Sequence, residues 1–237
     1  MPTIQFTGRG TSASSAARAL ARAVVAASSA PSLLDVRTWQ WQLADDVAEL
    51  RADRISQPDS ARHRLLLLAS GGAALHHACT GLAGTGAVIE VTRLPEPADP
   101  DLLARIVVTG FAAPDPAAVR THRAIALRQT DSRSLRDSSV TLDTIDALSA
   151  VAEAHGAYLR PVGPPRAGVW SLILAARSET PLAWLRAGEA YSAVSLSVAA
   201  EGLVVASDPD RMSFEQLSAA YDGPGRPLVA LTVDRRR

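Results

Sequence analysis

The stretch from residue 30 to residue 43 constrains the fold of this chain more than any other. An Ala-rich run with good helix propensity, residues 14–27, precedes it, and Pro31 stops that helix because the residue before a proline disfavours the helical conformation. After a short turn, apolar and polar residues alternate, which is the two-residue period of a half-buried strand. The apolar members of that strand are Trp39, Trp41 and Leu43. The sequence therefore predicts a helix, a loop and a strand that meet here.

The basic residues of the chain are all arginine. The 24 basic and 24 acidic side chains balance. The absence of lysine excludes Schiff-base chemistry and a Walker-type phosphate loop, and the neutral balance argues against a nucleic-acid partner. Cys79 is the single cysteine, which excludes an intrachain disulfide and a cysteine-rich zinc site and fits a reducing compartment. No stretch reaches the roughly 18 uninterrupted apolar residues of a membrane span. We expect a cytoplasmic protein with no metal, nucleic-acid or membrane partner.

A helix that begins near Ser60 is apolar on almost every face, which predicts burial on most sides. Gly71 and Gly72 interrupt it, and because each costs about 1 kcal/mol in a helix interior, we expect close packing against a neighbour. Asp99 and Pro100 are typical of an N-cap and a first helical position, so they predict a short helix. The other predicted strands are 3–6, 47–52 (antiparallel to the Trp strand), 87–91, 106–108, 158–162, 169–175, 203–206 and 227–233, and the other predicted helices are 117–127, 141–156, 180–202 and 213–223.

The order of the predicted elements repeats. Residues 14–91 and residues 141–206 both consist of a helix, two strands, a long apolar helix and a further strand. This order favours two copies of one unit that bury their long helices against each other. We expect an α+β fold with antiparallel or mixed sheets and long buried helices. Its parts would be a flexible lead-in at 1–12 and two halves, 13–115 and 116–237, in one compact unit.

Two motifs resemble those of the FMN-dependent nitroreductases. The first is the Pro-Ser loop that enters the Trp strand, and the second is an arginine-rich segment near the middle of the chain. The matching residues are Pro31, Ser32 and Trp39 in the loop, and Arg128, Thr130, Asp131 and Arg133 in the segment. Further stretches, 65–75, 93–105 and 184–203, resemble the single-chain, Acg-type actinobacterial branch of that family in the same order. The resemblance covers most of the chain.

This resemblance implies a nitroreductase-like fold in which one chain imitates a nitroreductase dimer. The loop would lie against the flavin ring of FMN, the arginine-rich segment would hold its phosphate, and the backbone after the strand at 203–206 would lie near the reactive flavin nitrogen. The implied cofactor-binding residues are Pro31, Ser32, Leu33, Asp35, Arg37, Arg128, Thr130, Arg133, Ser207 and Asp208. The implied activity is that of an NAD(P)H oxidoreductase acting on an unidentified small molecule or peptide, with no side-chain acid or base, because the cofactor carries the chemistry.

Three features depart from the family pattern. Asp35, Arg37 and Thr38 stand where the family has Asn, Gln and Pro, the turn at 163–168 stands where relatives have a long insertion, and no lysine lies near the ring. These departures favour a competing hypothesis, a non-catalytic member that serves as a flavin reservoir or as a partner subunit of an active homologue. A generic α/β binding domain is a third hypothesis. The chain would be a monomeric pseudo-dimer or part of a further oligomer.

The remaining titratable candidates carry no predicted chemistry. His76 and His77 are adjacent, so they are expected to point to different helix faces and to serve as packing or surface residues. Glu189 and Tyr191 are interpreted as polar groups at the edge of the core. The histidines expected to be exposed on helices are His63, His122 and His155.

Overall fold

The fold consists of two sheets with helices between and around them. A computed structural model describes residues 4–6, 14–34, 39–53, 60–129, 140–166, 168–207 and 213–235. The elements in these ranges are β1 (Ile4–Phe6), α1 (Ser15–Ala27), β2 (Trp39–Ala44), β3 (Val47–Ala52), α2 (Ala61–Gly84), β4 (Ala87–Arg93), β5 (Leu102–Phe111), α3 (Pro116–Gln129), α4 (Leu142–Ala154), β6 (Ala157–Pro161), β7 (Trp170–Ala176), α5 (Pro181–Ala200), β8 (Leu203–Ser207), α6 (Phe214–Ala220) and β9 (Arg226–Arg235).

The described strands form a five-stranded and a four-stranded sheet. The first sheet runs β1-β2-β3-β5-β4 and the second runs β6-β7-β9-β8. β1 is parallel to β2, and the other described strand pairs are antiparallel. The β2–β3 hairpin turns at Asp45, whose φ is 49°, and Trp41 lies opposite Leu50, which confirms the predicted antiparallel pair. The class is α+β, as predicted.

Each sheet has its own hydrophobic core, and the two long helices connect the cores. The first core includes residues of α1, α2 and the first sheet, and the second includes residues of α4, α5 and the second sheet. Leu185 of α5 nevertheless belongs to the first core. Leu66 and Ala69 of α2, together with Leu33, belong to the second core. This exchange of side chains joins the two cores into one packed body.

The backbones of α2 and α5 touch where two glycines face the opposite helix. A Cβ atom on Gly72 would lie 1.9 Å from the carbonyl oxygen of Leu185, and one on Gly188 would lie 1.7 Å from that of Ala69. A Cβ on Gly71 would lie 2.5 Å from the Leu103 side chain on the first sheet. The prediction that the glycines inside the first long helix mark close packing is therefore confirmed.

The helix α2 is apolar enough to raise the question of a membrane span. By length and composition alone it could cross a bilayer, and among the described residues it is the one helix of that kind. However, 78% of its most apolar window is buried inside the fold, and α1, α3 and α5 all contact it. Its burial is that of a core helix, as its all-round apolar pattern predicts.

The predicted helix at Asp99 and Pro100 is wrong. The chain makes a turn there, and β5 begins at Leu102, so the strand predicted at 106–108 is longer than expected. One oxygen of the Asp99 carboxylate accepts the backbone N–H of Asp101 at 3.3 Å, and the other accepts Arg51 Nη2 at 2.6 Å. Aspartate closes turns by the same local hydrogen bonds with which it caps helices, so Asp99 by itself fits both a turn and a helix start. The pairing of β5 with its neighbouring strands selects the turn. The other predicted elements are observed with bounds that differ by a few residues.

The contact between α2 and α5 gives the first testable prediction. The substitution Gly188→Ala should lower the free energy of unfolding by about 3 kcal/mol, because its methyl group would overlap the Ala69 carbonyl and force the helices apart. Urea denaturation measures this change. Gly110→Ala is the matched control, since a Cβ there meets nothing within 4 Å and should change stability by less than about 0.5 kcal/mol. Equal effects of the two substitutions would contradict this account of the helix contact.

Candidate functional site

The loop after α1 is held against α2 by a buried serine. The backbone N–H of Leu33 donates to Ser70 Oγ at 3.0 Å, and Ser32 Oγ lies 3.5 Å from the same atom. Pro31, Leu33 and Ser70 are buried, whereas Ser32 is partly buried. The loop is therefore fixed beside the point where α2 passes α5.

Arg128 lies in the last turn of α3 and reaches the end of α1. One of its guanidinium nitrogens donates to the backbone carbonyl of Ser29, just beyond the last residue of α1. A cation is favourable near this end of α1 because the helix dipole places partial negative charge there. Its Nε is buried with no hydrogen-bond partner, and burial lowers the pKa of the guanidinium. No carboxylate in the described ranges forms an ion pair with Arg128.

Tyr191 connects the end of β8 to the same place. Its hydroxyl donates to Ser207 Oγ at 2.6 Å. Burial raises the pKa of Tyr191, and the hydrogen bond to Ser207 and the positive charge of Arg128 partly offset this rise. The residues Ser29, Arg128, Tyr191 and Ser207 thus form one neighbourhood, which we call the arginine junction.

The structure brings together those predicted cofactor-binding residues that it describes. Arg128 donates to Ser29, two residues before the loop of Pro31 to Leu33, and its charge acts on Tyr191, whose hydroxyl donates to Ser207. The predicted residues that lie outside the described ranges are Asp35, Arg37, Thr130, Arg133 and Asp208. Their part in the site stays a prediction.

His76 and His77 meet at one hydroxyl, so the expectation that they diverge is wrong. The distance to Ser192 Oγ is 2.7 Å from His76 Nδ1 and 2.6 Å from His77 Nδ1. Because a hydroxyl carries one hydrogen, it can donate to at most one of the two rings, so at least one ring donates to it. The ring of His155 packs edge-on against His76 with centroids 4.8 Å apart. His155 is therefore part of this cluster and not an exposed helix residue; His63 and His122 are also partly buried.

Burial keeps this histidine cluster neutral at neutral pH. It lowers the pKa of His77 to about 3, with the charge of Arg128 acting in the same direction and a hydrogen bond to the Ala73 backbone opposing it. It also lowers the pKa of His76 well below the usual value and lowers the pKa of His155. His77 Nε2 is buried and has no partner among the described residues.

Glu189 is buried in the interior, so its placement at the edge of the core is wrong. It is 5% exposed and accepts two hydrogen bonds from Arg93 of β4, from Nε at 2.6 Å and from Nη2 at 2.7 Å. Burial and the charge of Glu189 raise the pKa of the Cys79 thiol to about 12, which makes that thiol a poor nucleophile. Sequence reasoning assigned no chemistry to Glu189 and Tyr191 and did not single out Ser192, although polar residues inside an otherwise apolar helix signal buried partners.

Two cavities accompany these elements. The first, of about 780 Å³, lies between the start of α2, the β4–β5 turn and the start of α5. The second, of about 500 Å³, lies on the second sheet against the β6–β7 turn, and Ser207 lines it. Pro31, Ser32, Leu33 and Arg128 line neither of these two cavities. Within the described ranges, no group of three or more His, Cys, Asp and Glu side chains could hold a metal ion.

Part of the chain is similar in sequence to known proteins. No protein-family model matches the chain. Two proteins of Mycobacterium tuberculosis are similar to it, named “Putative NAD(P)H nitroreductase MT3217” in strain CDC 1551 / Oshkosh and “Putative NAD(P)H nitroreductase Rv3131” in strain ATCC 25618 / H37Rv. Each is 36% identical over 138 residues, which is 56% of this chain and 39% of the relative. This similarity supports a relationship to the nitroreductase family. The match spans less than half the length of each of these nitroreductases, and the α+β architecture with antiparallel sheets is compatible with their family.

The histidine cluster predicts a pH dependence of stability. Because the pKa of His77 falls from 6.5 to about 3 on folding, the unfolded chain binds more protons at acidic pH. The stability that neutral His77 contributes is complete above about pH 6.5 and is lost as the pH falls towards 3. Between pH 6 and pH 4, wild-type stability should therefore fall by about 1.4 kcal/mol per pH unit more than that of His77→Asn.

Urea denaturation of both proteins at several pH values measures this difference. His63→Asn is the matched control, because His63 lies in the first turn of α2, away from the cluster, and bonds to Ser60. Its stability should follow the wild-type pH profile. If the stability of His77→Asn changed with pH as steeply as that of the wild type, His77 would not be held neutral in the folded protein.

Proposed function

We propose that this chain is an FMN-dependent NAD(P)H oxidoreductase of the single-chain, Acg-type branch of the nitroreductase family. The observation that carries the proposal is the 36% identity to the two mycobacterial relatives, both of which are named as NAD(P)H nitroreductases. The resemblance of the Pro31-Ser32 loop and of the Arg128 segment to family motifs supports it. The substrate would be a small molecule or a peptide, and the protein would act in the cytoplasm.

The arginine junction fits the anionic end of such a cofactor. Arg128 is a partly buried cation with no ion-paired carboxylate among the described residues, and its Nε is an unpartnered buried donor. Guanidinium and hydroxyl donors hold a phosphate well, because the hydrogen bonds are charge-assisted. Tyr191 and Ser207 supply hydroxyls nearby. FMN bound here would supply hydride-transfer chemistry, and the chain would bind and orient it.

The chain's own residues would fix the two sides of the cofactor site. Ser70 holds the loop of Pro31 to Leu33, which would lie against the ring together with Asp35 and Arg37. Thr130 and Arg133 would share the phosphate with Arg128. Tyr191 anchors the end of β8, where the backbone of Ser207 and Asp208 would lie near the reactive nitrogen.

We also infer that the two halves, 13–115 and 116–237, are copies of one unit. The first contains α1, β2, β3, α2, β4 and β5, and the second contains α4, β6, β7, α5, β8 and β9, with α3 before them and α6 inserted. The strand orders β2-β3-β5-β4 and β6-β7-β9-β8 correspond, and the contacts of Gly72 and Gly188 are reciprocal. The chain would then be a monomeric pseudo-dimer of the nitroreductase type, or would assemble further with copies or homologous subunits.

A second candidate function is that of a non-catalytic nitroreductase-like protein, which stores flavin or completes the site of an active homologue. The observation that favours it is the hydrogen bond from the Arg128 guanidinium to the Ser29 carbonyl, which occupies one of the donors that a phosphate would need. In addition, neither large cavity includes Arg128 or the Pro31 loop. The connection between β6 and β7 is also short, so little of the chain is available there to cover a cofactor.

Flavin absorbance of the purified protein tests the cofactor. We expect flavin bands in the purified protein, or in protein separated from unbound FMN after FMN is added, and colourless protein that ignores added FMN would overturn the proposal. Turnover of NAD(P)H with a nitroaromatic or a quinone then separates the two candidate functions. Turnover by the protein alone supports the enzyme, whereas turnover only in a mixture with a homologue supports the partner subunit.

Arg128→Ala should weaken FMN binding by about 1.5 to 3 kcal/mol, the scale of a hydrogen bond to a charged group. Titration of FMN fluorescence measures the affinity, and far-UV circular dichroism verifies that the variant folds without the contact to Ser29. The matched control is Arg123→Ala, because Arg123 lies on the same helix and is exposed. It should bind FMN like the wild type. An unchanged affinity of Arg128→Ala would locate the phosphate elsewhere.

A further inference from the structure

The larger cavity is separate from the arginine junction. Its volume of about 780 Å³ is bordered by the first turns of α2, the β4–β5 turn and the start of α5. The described residues proposed for the cofactor do not line it. Most of its wall is apolar, and the apolar side chains that matter below are Leu65, Leu67, Leu68, Leu94, Pro97 and Trp184.

The wall of this cavity belongs to both cores of the protein. Leu67 and Leu94 pack in the first core, and Leu65 and Trp184 pack in the second. Leu68 packs against both. A molecule in the cavity would therefore contact both cores at once, and its binding would stabilise the folded state in which they are joined.

The charges at the cavity are compensated within the protein. Asp99 accepts a hydrogen bond from Arg51 at 2.6 Å, and Glu179 forms an ion pair with Arg226 at 2.7 Å. The other two formally charged side chains of the lining, Arg64 and Glu96, have opposite signs. An ionic ligand would lose its hydration without gaining an excess of opposite charge, whereas apolar surface is favourably removed from water.

We propose that this cavity is a binding site for an uncharged, largely apolar small molecule. The volume lies within the roughly 300 to 1,000 Å³ of small-molecule pockets. Three chain segments form a concave wall, which favours a ligand of compact shape. The charged side chains at the cavity compensate one another, which favours a neutral ligand. The site would act independently of FMN, because it shares no described residue with the arginine junction.

Prodan, a neutral naphthalene dye whose emission shifts to the blue in apolar surroundings, is the probe. Wild-type protein should bind it saturably with blue-shifted emission and should unfold at a higher temperature in its presence. The variant Ala61→Trp places a large side chain at an exposed position of the lining and should reduce the affinity at least tenfold. Leu68→Arg, which puts a charge in the apolar wall, should do the same.

Leu182→Arg is the matched control, because Leu182 is exposed on α5 and does not line the cavity. It should bind prodan like the wild type. Since Ala61 is exposed, its variant should fold even where Leu68→Arg does not, and circular dichroism verifies this. Equal affinity of Ala61→Trp and wild type would overturn the proposal.

Two further arms test the ligand class and the independence of the site. Tighter binding of the anionic dye anilinonaphthalene sulfonate than of prodan would overturn the assignment to an uncharged ligand. Displacement of prodan by added FMN would overturn the separation of the two sites. Prodan binding by protein that ignores FMN would support this site while the proposed cofactor fails, so the two proposals can be distinguished.

Discussion

The backbone contact between α2 and α5 is the constraint on which the rest of the structure depends. Gly72 and Gly188 let each helix press against a carbonyl of the other, and this close approach is possible only without a Cβ at either position. The contact lets Leu185 enter the core of the first sheet. It also places Ser192 beside two histidines of α2. Both the joining of the cores and the buried polar cluster follow from it.

Burial at this crossing decides the charge state of the groups near it. The histidines bonded to Ser192 are neutral because the interior disfavours their charged form. Glu189 stays in the interior together with Arg93, which satisfies both of its oxygens. Arg128 has no such carboxylate among the described residues and uses a helix-end carbonyl instead. A cation in this position is suited to an anionic ligand, and this is the physical basis for the proposal that the junction holds a flavin phosphate.

The similarity to mycobacterial nitroreductases and the geometry of the chain address different parts of the function. The similarity, which covers 56% of this chain, supports the family and says nothing about individual side chains. The geometry brings the Pro31 loop, Arg128 and Ser207 into one neighbourhood, and it separates this neighbourhood from an apolar cavity that lies between the two cores. Two ligands of different chemistry could therefore occupy one compact fold without competing.

Local signals in the sequence determined most of the elements. These signals act between neighbours in the chain: they are the helix caps at Thr141, Thr180 and Ser213 and the apolar–polar alternation of the Trp strand. The adjacent glycines of α2 also predicted a close helix contact. Only the tertiary structure decided that Asp99 closes a turn. It also decided that His76 finds a partner 116 positions away and that Tyr191, within reach of the charge of Arg128, bonds to Ser207. The physical reason is that periodicity and capping report on a residue's near neighbours, whereas burial, strand pairing and the pKa of a side chain depend on segments that folding brings from elsewhere in the chain.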